Sequence, residues 1–366
     1  MKVPFVDLHR QYLSIKDDVD EAMRAVIAES AFIRGRFVTD FEQEFAAAVG
    51  VARCVSCANG TDALYVAMRA LGLRPGDEVI TTAHSWISTS ETISQAGGRV
   101  VFADTDARTF TIDPGSLEAK ITDRTVGIIP VHLYGQPADM DAIQRIAERH
   151  RLWVIEDCAQ AHMAEFRGRK VGTMGVMATF SFYPGKNLGA MGDAGCLVTN
   201  DERLADWAEM FARHGGKGEH LIEGINSRMD GLQAAILSVK LPRLPAWTAA
   251  RRRVAVRYDE ALANLDWLRT PEIADGRTHV YHLYVIRAER RDALREHLSG
   301  LGIGTMLNYP KALPFYPAYA HLGHAPADFP NAHADQESIL SLPIFPEMSE
   351  EELDFVCGAI HSFRAK

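Results

Sequence analysis

Apolar residues follow two alternating patterns along the first two thirds of the chain. Short runs that are almost wholly apolar, such as 152–155, stand between segments such as 140–150, where apolar residues recur every three or four positions. The first pattern predicts strands buried on both faces, and the second predicts helices packed against them. The strands are predicted at residues 52–57, 78–82, 100–103, 128–135, 152–157, 178–183 and 196–199.

Helices are predicted between and after these strands. Thr39 followed by Glu42 has the spacing of a capping box, which predicts that a helix begins there. A longer helical stretch begins near Gly231, and Pro242 and Pro245 predict a kink within it. Helical spacing covers residues 17–29, 39–49, 63–71, 140–150, 202–213 and 231–265.

The chain divides near Leu241 into two predicted parts. Its 366 residues exceed the roughly 250–300 at which a single core usually splits. We therefore expect a large domain over 1–240 and a small C-terminal α/β domain over 241–366. The small domain has a strand predicted over 281–286, helices predicted over 291–301 and 350–363, and a Pro-, Tyr- and His-rich loop over 308–328.

Polar and glycine residues follow the ends of several predicted strands. The turn 59–61, Trp86, Asp157 and Lys186 all lie at or just after such ends. Alternating buried strands and helices predict an open, parallel α/β sheet, and ligands of such sheets bind outside the carboxyl ends of the strands. This shared position predicts one site, although the turn could also be an ordinary helix cap.

Composition and charge exclude several classes of protein. The net charge is −9 with no long basic run, which argues against nucleic-acid binding. No apolar run reaches the roughly 18 residues of a membrane span, and the N-terminus lacks the apolar core of a signal peptide. The five cysteines include Cys54 and Cys57, but no second pair stands at zinc spacing. We expect a cytoplasmic protein with reduced thiols and no metal.

Lys186 lies in a glycine-bearing turn between two strand-like runs, within the segment 181–195. A lysine that is partly buried at a strand end loses its proton readily and can form a Schiff base. The alternative is an exposed loop lysine without a chemical role. Asp157 adds to the chemical interpretation, because a carboxylate at a buried strand end is costly unless it meets a cation.

A pyridinium nitrogen is such a cation. A pyridine cofactor that carries an aldehyde also needs a lysine, a phosphate cradle and a flat side chain against its ring. The sequence offers Lys186 for the aldehyde and Trp86 for the ring face. It offers Gly60, Thr61 and Ser181 for the phosphate. Each residue is a weak signal by itself, and their conjunction predicts a pyridoxal 5'-phosphate site.

Five ordered motifs resemble the DegT/DnrJ/EryC1/StrS family of pyridoxal-phosphate sugar aminotransferases. They are residues 59–63, 156–162, 181–189, 192–195 and 226–230. The resemblance covers essentially the whole chain. It implies an aspartate-aminotransferase-like fold (PLP fold type I), with a mixed, mostly parallel sheet in the large domain, and a homodimer with shared active sites.

The resemblance also implies a role for each matched residue. Lys186 would form the Schiff base and move a proton between cofactor and substrate, and Asp157 would keep the pyridine nitrogen protonated. Gln160 would bond the phenolic oxygen of the cofactor, and Trp86 would stack on the ring. The implied phosphate ligands are Gly60, Thr61 and Ser181, with Asn226 from the other subunit.

The implied reaction moves an amino group from glutamate or glutamine to a nucleotide-linked keto-sugar. A 3-keto-6-deoxyhexose is favoured, and a C4 keto-sugar or a keto-cyclitol is the alternative. More distant alternatives on this fold are a sugar dehydratase, which Lys186 argues against, and a non-catalytic regulator. Met163 departs from the glycine that is frequent in the family. The candidate substrate contacts are Arg34, His162, Arg228, Asn308 and Tyr309, each of which could instead be structural.

Overall fold

The computed structural model describes residues 1–216 and 218–363 and has an α/β architecture. Its strands are short and, in the larger sheet, almost wholly buried, as the apolar runs predict. They are β1 (Arg53–Cys57), β2 (Glu78–Thr82), β3 (Arg99–Ala103), β4 (Thr125–Ile129), β5 (Trp153–Asp157), β6 (Glu165–Phe166), β7 (Arg169–Lys170), β8 (Met177–Ser181), β9 (Gly195–Thr199), β10 (Leu268–Arg269), β11 (Tyr284–Ala288) and β12 (Ile339–Leu342).

The larger sheet has seven strands in the order β1-β9-β8-β5-β4-β2-β3. Strand β9 pairs antiparallel with both of its neighbours, and the pairs from β8 to β3 are parallel. The predicted mixed, mostly parallel sheet is therefore confirmed. Because β1 lies beyond β9, it again runs in the direction of β8, and the carboxyl ends of β1, β2, β5 and β8 all lie at one edge of the sheet.

Helices connect and cover these strands. The long helix predicted from residue 231 is interrupted at its prolines: α9 ends at Lys240, a 3₁₀ turn spans Leu241–Arg243, and α10 begins at Leu244. The helices are α1 (Leu8–Ser14), α2 (Lys16–Ala28), α3 (Arg36–Val49), α4 (Gly60–Ala70), α5 (Ser88–Gln95), α6 (Pro114–Ala119), α7 (Met140–His150), α8 (Glu202–Phe211), α9 (Gly231–Lys240), α10 (Leu244–Leu262), α11 (Arg291–Gly300), α12 (Pro330–Ser338) and α13 (Glu350–Ser362).

Two local predictions are wrong. The capping box at Thr39 does not form, because α3 begins one turn earlier, after Gly35. The Glu42 carboxylate instead accepts hydrogen bonds from the backbone and hydroxyl of Ser56, at 2.9 and 2.7 Å. The strand predicted over 128–135 ends at Ile129, and a 3₁₀ turn over Leu133–Gly135 follows it.

The C-terminal part has a sheet of its own, in which β11 lies between β10 and β12 and all pairs are antiparallel. Packing crosses the predicted division at residues 240 and 241 in several places, of which two serve as examples. Val3 forms a bridge with Ile303 and belongs to the C-terminal core. Leu313 and Phe329 belong to a core of the seven-stranded sheet. The two-domain division remains a proposal about which parts fold as units.

Two apolar cores cover the faces of the seven-stranded sheet. Phe180 and Cys196 contribute to one, and Met177 and Leu197 contribute to the other, as alternation along a strand requires. No helix within the described ranges is long and apolar enough to cross a membrane.

Candidate active site

The carboxyl edge of the seven-stranded sheet gathers the residues that the sequence singles out. The turn after β1 leads into α4, the segment after β2 carries Trp86, and β5 ends at Asp157. Strand β8 ends at Ser181, five residues before Lys186. Because these strands run the same way, residues that are distant in sequence meet at one edge.

The first turn of α4 faces this edge. The Asn59 side chain caps the helix by accepting from the Asp62 backbone N–H at 2.8 Å. The Thr61 and Ser88 hydroxyls lie 2.7 Å apart and join α4 to α5. An eleven-residue helix directs unpaired backbone N–H groups and the positive end of its dipole outward here, which suits a phosphate.

Two glycines allow the β1–α4 turn to approach its neighbours. A Cβ on Gly60 would stand 2.7 Å from Ser181 Cβ, and one on Gly195 would stand 2.3 Å from the Asn59 carbonyl carbon. Both distances are too short for a side chain. The structure thus brings Gly60, Thr61 and Ser181 together, as the phosphate prediction requires.

Asp157 is buried, with a hydrogen bond to each carboxylate oxygen. Thr89 Oγ1 donates to Oδ2 at 2.7 Å, and the Ala159 backbone N–H donates to Oδ1 at 3.1 Å. Burial raises the pKa of Asp157, while these two hydrogen bonds and the charge of Lys186 act in the opposite direction. Because burial disfavours the charged carboxylate, a cationic donor that binds beside it would stabilise it further.

Lys186 lies in a tight turn, where its backbone N–H bonds to the Tyr183 carbonyl at 2.8 Å. The residue is partly accessible, yet protein atoms surround its amine. Burial lowers the pKa of Lys186 to about 8, against the opposing charge of Asp157. With this pKa, roughly a tenth of the amine is unprotonated at pH 7, far more than for an ordinary lysine, and the unprotonated form is the one that attacks an aldehyde.

Gln160 is buried and held by two residues. Its side-chain oxygen accepts from the Tyr134 backbone N–H at 2.6 Å, and its side-chain nitrogen donates to the Tyr309 hydroxyl at 2.8 Å. One hydrogen of its NH₂ group is used by Tyr309, so the other is available to a ligand. The Trp86 and Tyr309 ring centroids lie 5.6 Å apart, and Trp86 is 56% exposed.

The loop residues Asn308 and Tyr309 reach this edge from the C-terminal part of the chain. Asn308 accepts from the Tyr134 hydroxyl through its carbonyl and from Ser341 Oγ through its side chain at 2.9 Å. The Tyr309 backbone N–H donates to His84 Nε2 at 3.1 Å. These contacts fix both residues beside Gln160.

His162 lies behind the site and is fully buried. Its ring centroid is 5.5 Å from that of Phe180 and 5.7 Å from that of Phe182. Burial and the nearby charge of Lys186 lower the pKa of His162 to about 3, so the ring is neutral. The next residue, Met163, has a φ of 62°, a conformation that favours glycine. The departure from the family glycine therefore leaves the left-handed backbone in place.

Three further candidates lie at the surface. Arg34 is half-buried and pairs with Glu209 at 3.4 Å. Asn226 is exposed, and its neighbour Ser227 bonds to Asp62 at 2.7 Å, which places the segment beside the first turn of α4. Arg228 is half-buried. These contacts tie the segment of Asn226 to the first turn of α4, and they tie Arg34 to Glu209 of α8.

His132, Glu156 and Cys158 form a buried cluster whose spacing would suit a metal ion. The Glu156 carboxylate, however, already accepts four hydrogen bonds. His132 Nε2 donates at 3.0 Å, and the backbone N–H groups of Gly172, Met174 and Gly175 donate at 3.0, 2.7 and 2.7 Å. His132 Nδ1 accepts from the Ala138 N–H at 3.0 Å. With these lone pairs occupied, the cluster is a structural network and not a metal site.

The residues present fit pyridoxal 5'-phosphate. A helix N-terminus beside Ser181 suits the phosphate, a lysine of lowered pKa suits the aldehyde, and a buried carboxylate with room for another donor suits the pyridine nitrogen. Fold and site together define an aminotransferase of the pyridoxal-phosphate type.

The comparisons with known proteins agree with this class. The sequence profile of the DegT/DnrJ/EryC1/StrS aminotransferase family matches residues 13–361. The chain belongs to this family.

Three curated relatives cover nearly the whole chain. A protein named pleiotropic regulatory protein from Geobacillus stearothermophilus is 46% identical, with 99% of each chain covered. The dTDP-3-amino-3,4,6-trideoxy-alpha-D-glucose transaminase of Streptomyces venezuelae is 40% identical, with 99% of this chain and 96% of the relative covered. The UDP-2-acetamido-2-deoxy-3-oxo-D-glucuronate aminotransferase of Pseudomonas aeruginosa is 40% identical, with 98% and 99% covered.

Two solved structures share the fold. DesV of Streptomyces venezuelae, in complex with a ketimine intermediate, is 40% identical with a TM-score of 0.97, covering 100% of this chain and 99% of DesV. NtdA from Bacillus subtilis, with bound cofactor PMP, is 32% identical with a TM-score of 0.90, covering 98% and 84%. The predicted fold class, family and pyridoxal-phosphate cofactor are confirmed.

Sequence reasoning missed Thr89, Ser88 and Tyr134 at this site. The Ser/Thr-rich start of α5 was a signal for the first two, because hydroxyls in the first turn of a helix at a sheet edge face the same space as the strand ends. Tyr134 carried no local signal. Its backbone N–H bonds to Gln160 from the 3₁₀ turn Leu133–Gly135, a segment whose sequence pattern predicted a strand.

Proposed function

We propose that this protein transfers an amino group from glutamate or glutamine to a keto-sugar linked to a nucleoside diphosphate. The observation that carries this proposal is the meeting of Lys186 and Asp157 at one sheet edge, beside the first turn of α4. Relatives that are about 40% identical over nearly the full chain are named for amino transfer to dTDP- and UDP-linked sugars, which supports this substrate class.

The chain's own residues divide the work of binding and proton transfer. When bound, the cofactor supplies an aldehyde for Schiff-base formation and a ring that accepts electrons. We assign Lys186 the attachment of the cofactor and, once the incoming amine has displaced it, the transfer of a proton between the cofactor's C4′ and the substrate carbon. Asp157 keeps the ring nitrogen protonated. An amine of lowered pKa suits both directions of this proton transfer.

The remaining cofactor contacts follow from the same geometry. Backbone N–H groups at Gly60 and Thr61 and the Ser181 hydroxyl hold the phosphate. Gln160 donates its free N–H to the phenolic oxygen, and the exposed Trp86 ring covers one face of the pyridine. Together these contacts hold the ring in one orientation during both half-reactions.

We assign substrate recognition to residues beyond the cofactor contacts. Asn308 and Tyr309 border the space above Gln160. We assign Arg34 and Arg228 to the diphosphate, for which the planar guanidinium is suited. Because His162 is buried and neutral, we assign it a supporting place behind the site. Relatives named for 3-amino and 3-oxo sugars favour a 3-keto substrate over a C4 keto-sugar or a keto-cyclitol.

We further propose a homodimer with shared sites, acting in the cytoplasm. Phe32, Ile33 and Met191 are exposed apolar residues, and the two segments that carry them contact the N-cap and first turn of α9. Such a patch is typical of a subunit interface. It includes Met191, five residues after Lys186, and we assign Asn226 of one chain to the phosphate bound by the other. The five free cysteines suit a reducing compartment.

A second candidate function is regulation, because one relative is named a pleiotropic regulatory protein. The pair of Lys186 and Asp157 favours catalysis, since a purely regulatory protein needs neither a reactive lysine nor an aligned carboxylate. A dehydratase is disfavoured by the same lysine.

A half-reaction assay tests the proposal. Purified protein loaded with pyridoxal phosphate should lose its visible absorption when mixed with glutamate or glutamine. Keto-sugar nucleotides added to the resulting amine form should restore the absorption, and the set of active sugars identifies the substrate. A protein that binds no cofactor, or that does not react with either donor, would contradict the proposal and leave regulation as the remaining candidate.

A further inference from the structure

Thr89 is a buried residue of α5 that no catalytic assignment above uses. It is 1% exposed, and its hydroxyl donates to Asp157 Oδ2 at 2.7 Å. The helix that carries it begins two residues after Trp86, so Thr89 approaches the sheet edge from the side of the proposed ring stack.

The main chain of Asp157 is already fixed by other contacts. Its N–H donates to the Pro130 carbonyl at 2.9 Å, and its carbonyl accepts from the His132 N–H at 3.0 Å. It also pairs with Thr179 of β8. What remains free is rotation of the side chain, which decides where the two carboxylate oxygens point.

The two hydrogen bonds of the carboxylate remove this freedom. Thr89 holds Oδ2 from one helix, and the Ala159 N–H holds Oδ1 from the turn after β5. Each oxygen of a carboxylate has two lone pairs, so one remains on each oxygen for a further donor. The Thr89 bond is the shorter of the two and, within the described residues, the one made by a side chain.

We propose that Thr89 is a positioning residue for amino transfer, which holds the Asp157 carboxylate so that it meets the pyridine nitrogen of the cofactor. This inference rests on the proposed function. Without the hydroxyl, the buried carboxylate loses a donor, turns more freely and stabilises the protonated ring less well. The ring then accepts electrons less readily when the substrate proton leaves.

Three variants separate this role from simple packing. Thr89→Val keeps the shape and removes the hydroxyl, and Thr89→Ser keeps the hydroxyl and removes a methyl group. Thr92→Val is the matched control, because Thr92 is equally buried one turn further along α5, and its hydroxyl bonds at 2.7 Å to the Ser88 carbonyl.

Two measurements on the loaded enzyme test the proposal. The first is the ¹⁵N NMR shift of a ring-labelled cofactor, which reports protonation of the pyridine nitrogen. The second is the rate of the glutamate half-reaction. For Thr89→Val we expect a shift toward the unprotonated ring and a rate lower by on the order of tenfold to a hundredfold, as for loss of one hydrogen bond to a charged group. Thr89→Ser and Thr92→Val should stay near wild type in both.

An unchanged ring shift and rate in Thr89→Val would overturn the inference, as would a Thr89→Ser variant as slow as Thr89→Val. If the valine variant does not fold, Thr89→Ala makes the same comparison. A wild-type protein that binds cofactor but does not react with either amino donor would instead refute the proposed function, so the two failures are distinguishable.

Discussion

The side-chain nitrogen of Gln160 donates to the hydroxyl of Tyr309 at 2.8 Å, and this bond joins the end of β5 to a loop that is 149 residues away in sequence. Gln160 is held from its other side by the Tyr134 backbone. The orientation of the side chain proposed to bind the cofactor's phenolic oxygen is therefore set by two segments, the turn that carries Tyr134 and the loop that carries Tyr309.

Replacement of Tyr309 by phenylalanine should weaken cofactor binding. The change leaves one N–H of the buried Gln160 without its acceptor, so we expect a loss of about 1–2 kcal/mol, or roughly 5- to 30-fold in the dissociation constant. Equilibrium dialysis of the cofactor measures this. Tyr319→Phe is the matched control, since it removes a buried hydroxyl that bonds to Ser90. Equal affinities of Tyr309→Phe and wild type would contradict the prediction.

The lowered pKa of Lys186 predicts how cofactor uptake depends on pH. Only the unprotonated amine attacks the aldehyde, so the rate of uptake should rise with pH through about 8 and level off above it. An amine with the ordinary pKa of 10.5 would keep gaining rate to much higher pH. Stopped-flow absorbance of cofactor-free protein mixed with pyridoxal phosphate gives this profile. A midpoint near the ordinary value would show that burial does not act on this lysine.

Replacement of Glu156 should lower the free energy of unfolding substantially. Its carboxylate accepts four hydrogen bonds, and Glu156→Gln replaces one accepting oxygen with a donating NH₂ group that faces N–H donors. We expect the free energy of unfolding to fall by roughly 3 kcal/mol. Urea unfolding measures the loss, with the exposed Glu44→Gln as control. A loss as small as that of the control would contradict the proposed network.

Glu156 should also account for part of the loss of folding stability at acid pH. Burial alone would raise the pKa of Glu156, but the hydrogen bond from His132 and those from the backbone N–H groups outweigh burial and lower it below the ordinary 4.5. A carboxylate with a lowered pKa stabilises the fold above its unfolded-state value, and this contribution is lost as pH falls through the folded value. Stability of Glu156→Gln should therefore depend less on pH below about 4.5. Equal acid dependence in both proteins would contradict this.

Shared active sites predict complementation between two inactive variants. Lys186→Ala removes the Schiff base, and Asn226→Ala removes the proposed phosphate contact to the other subunit. In a mixed dimer, one site carries both defects and the other carries neither. Unfolding and refolding the two variants together should restore activity that neither shows by itself. Failure to restore activity, with mixed dimers confirmed by native mass spectrometry, would show that Asn226 does not serve the partner's site.

Much of the site could be predicted because its residues stand at boundaries that the sequence marks. Lys186 and Asp157 follow apolar runs, and Gly60 opens a helix, so local patterns place all three at strand ends. Contacts between segments that are distant in the sequence had no local pattern to indicate them. The antiparallel direction of β9, the bond from Thr89 to Asp157 and the four bonds of Glu156 depend on how the strands order in the sheet, which local patterns do not specify. The capping box at Thr39 was predicted wrongly because α3 starts after Gly35, and the Glu42 carboxylate bonds to Ser56, which is distant in sequence.

Borohydride reduction followed by peptide mass spectrometry tests the central claim most directly. Protein loaded with pyridoxal phosphate is reduced, which converts a Schiff base into a stable bond, and then digested and sequenced. We predict that the phosphopyridoxyl group is found on Lys186, in the peptide that contains residues 181–189. Absence of the group from that peptide, or its presence on another lysine at equal stoichiometry, would contradict the account.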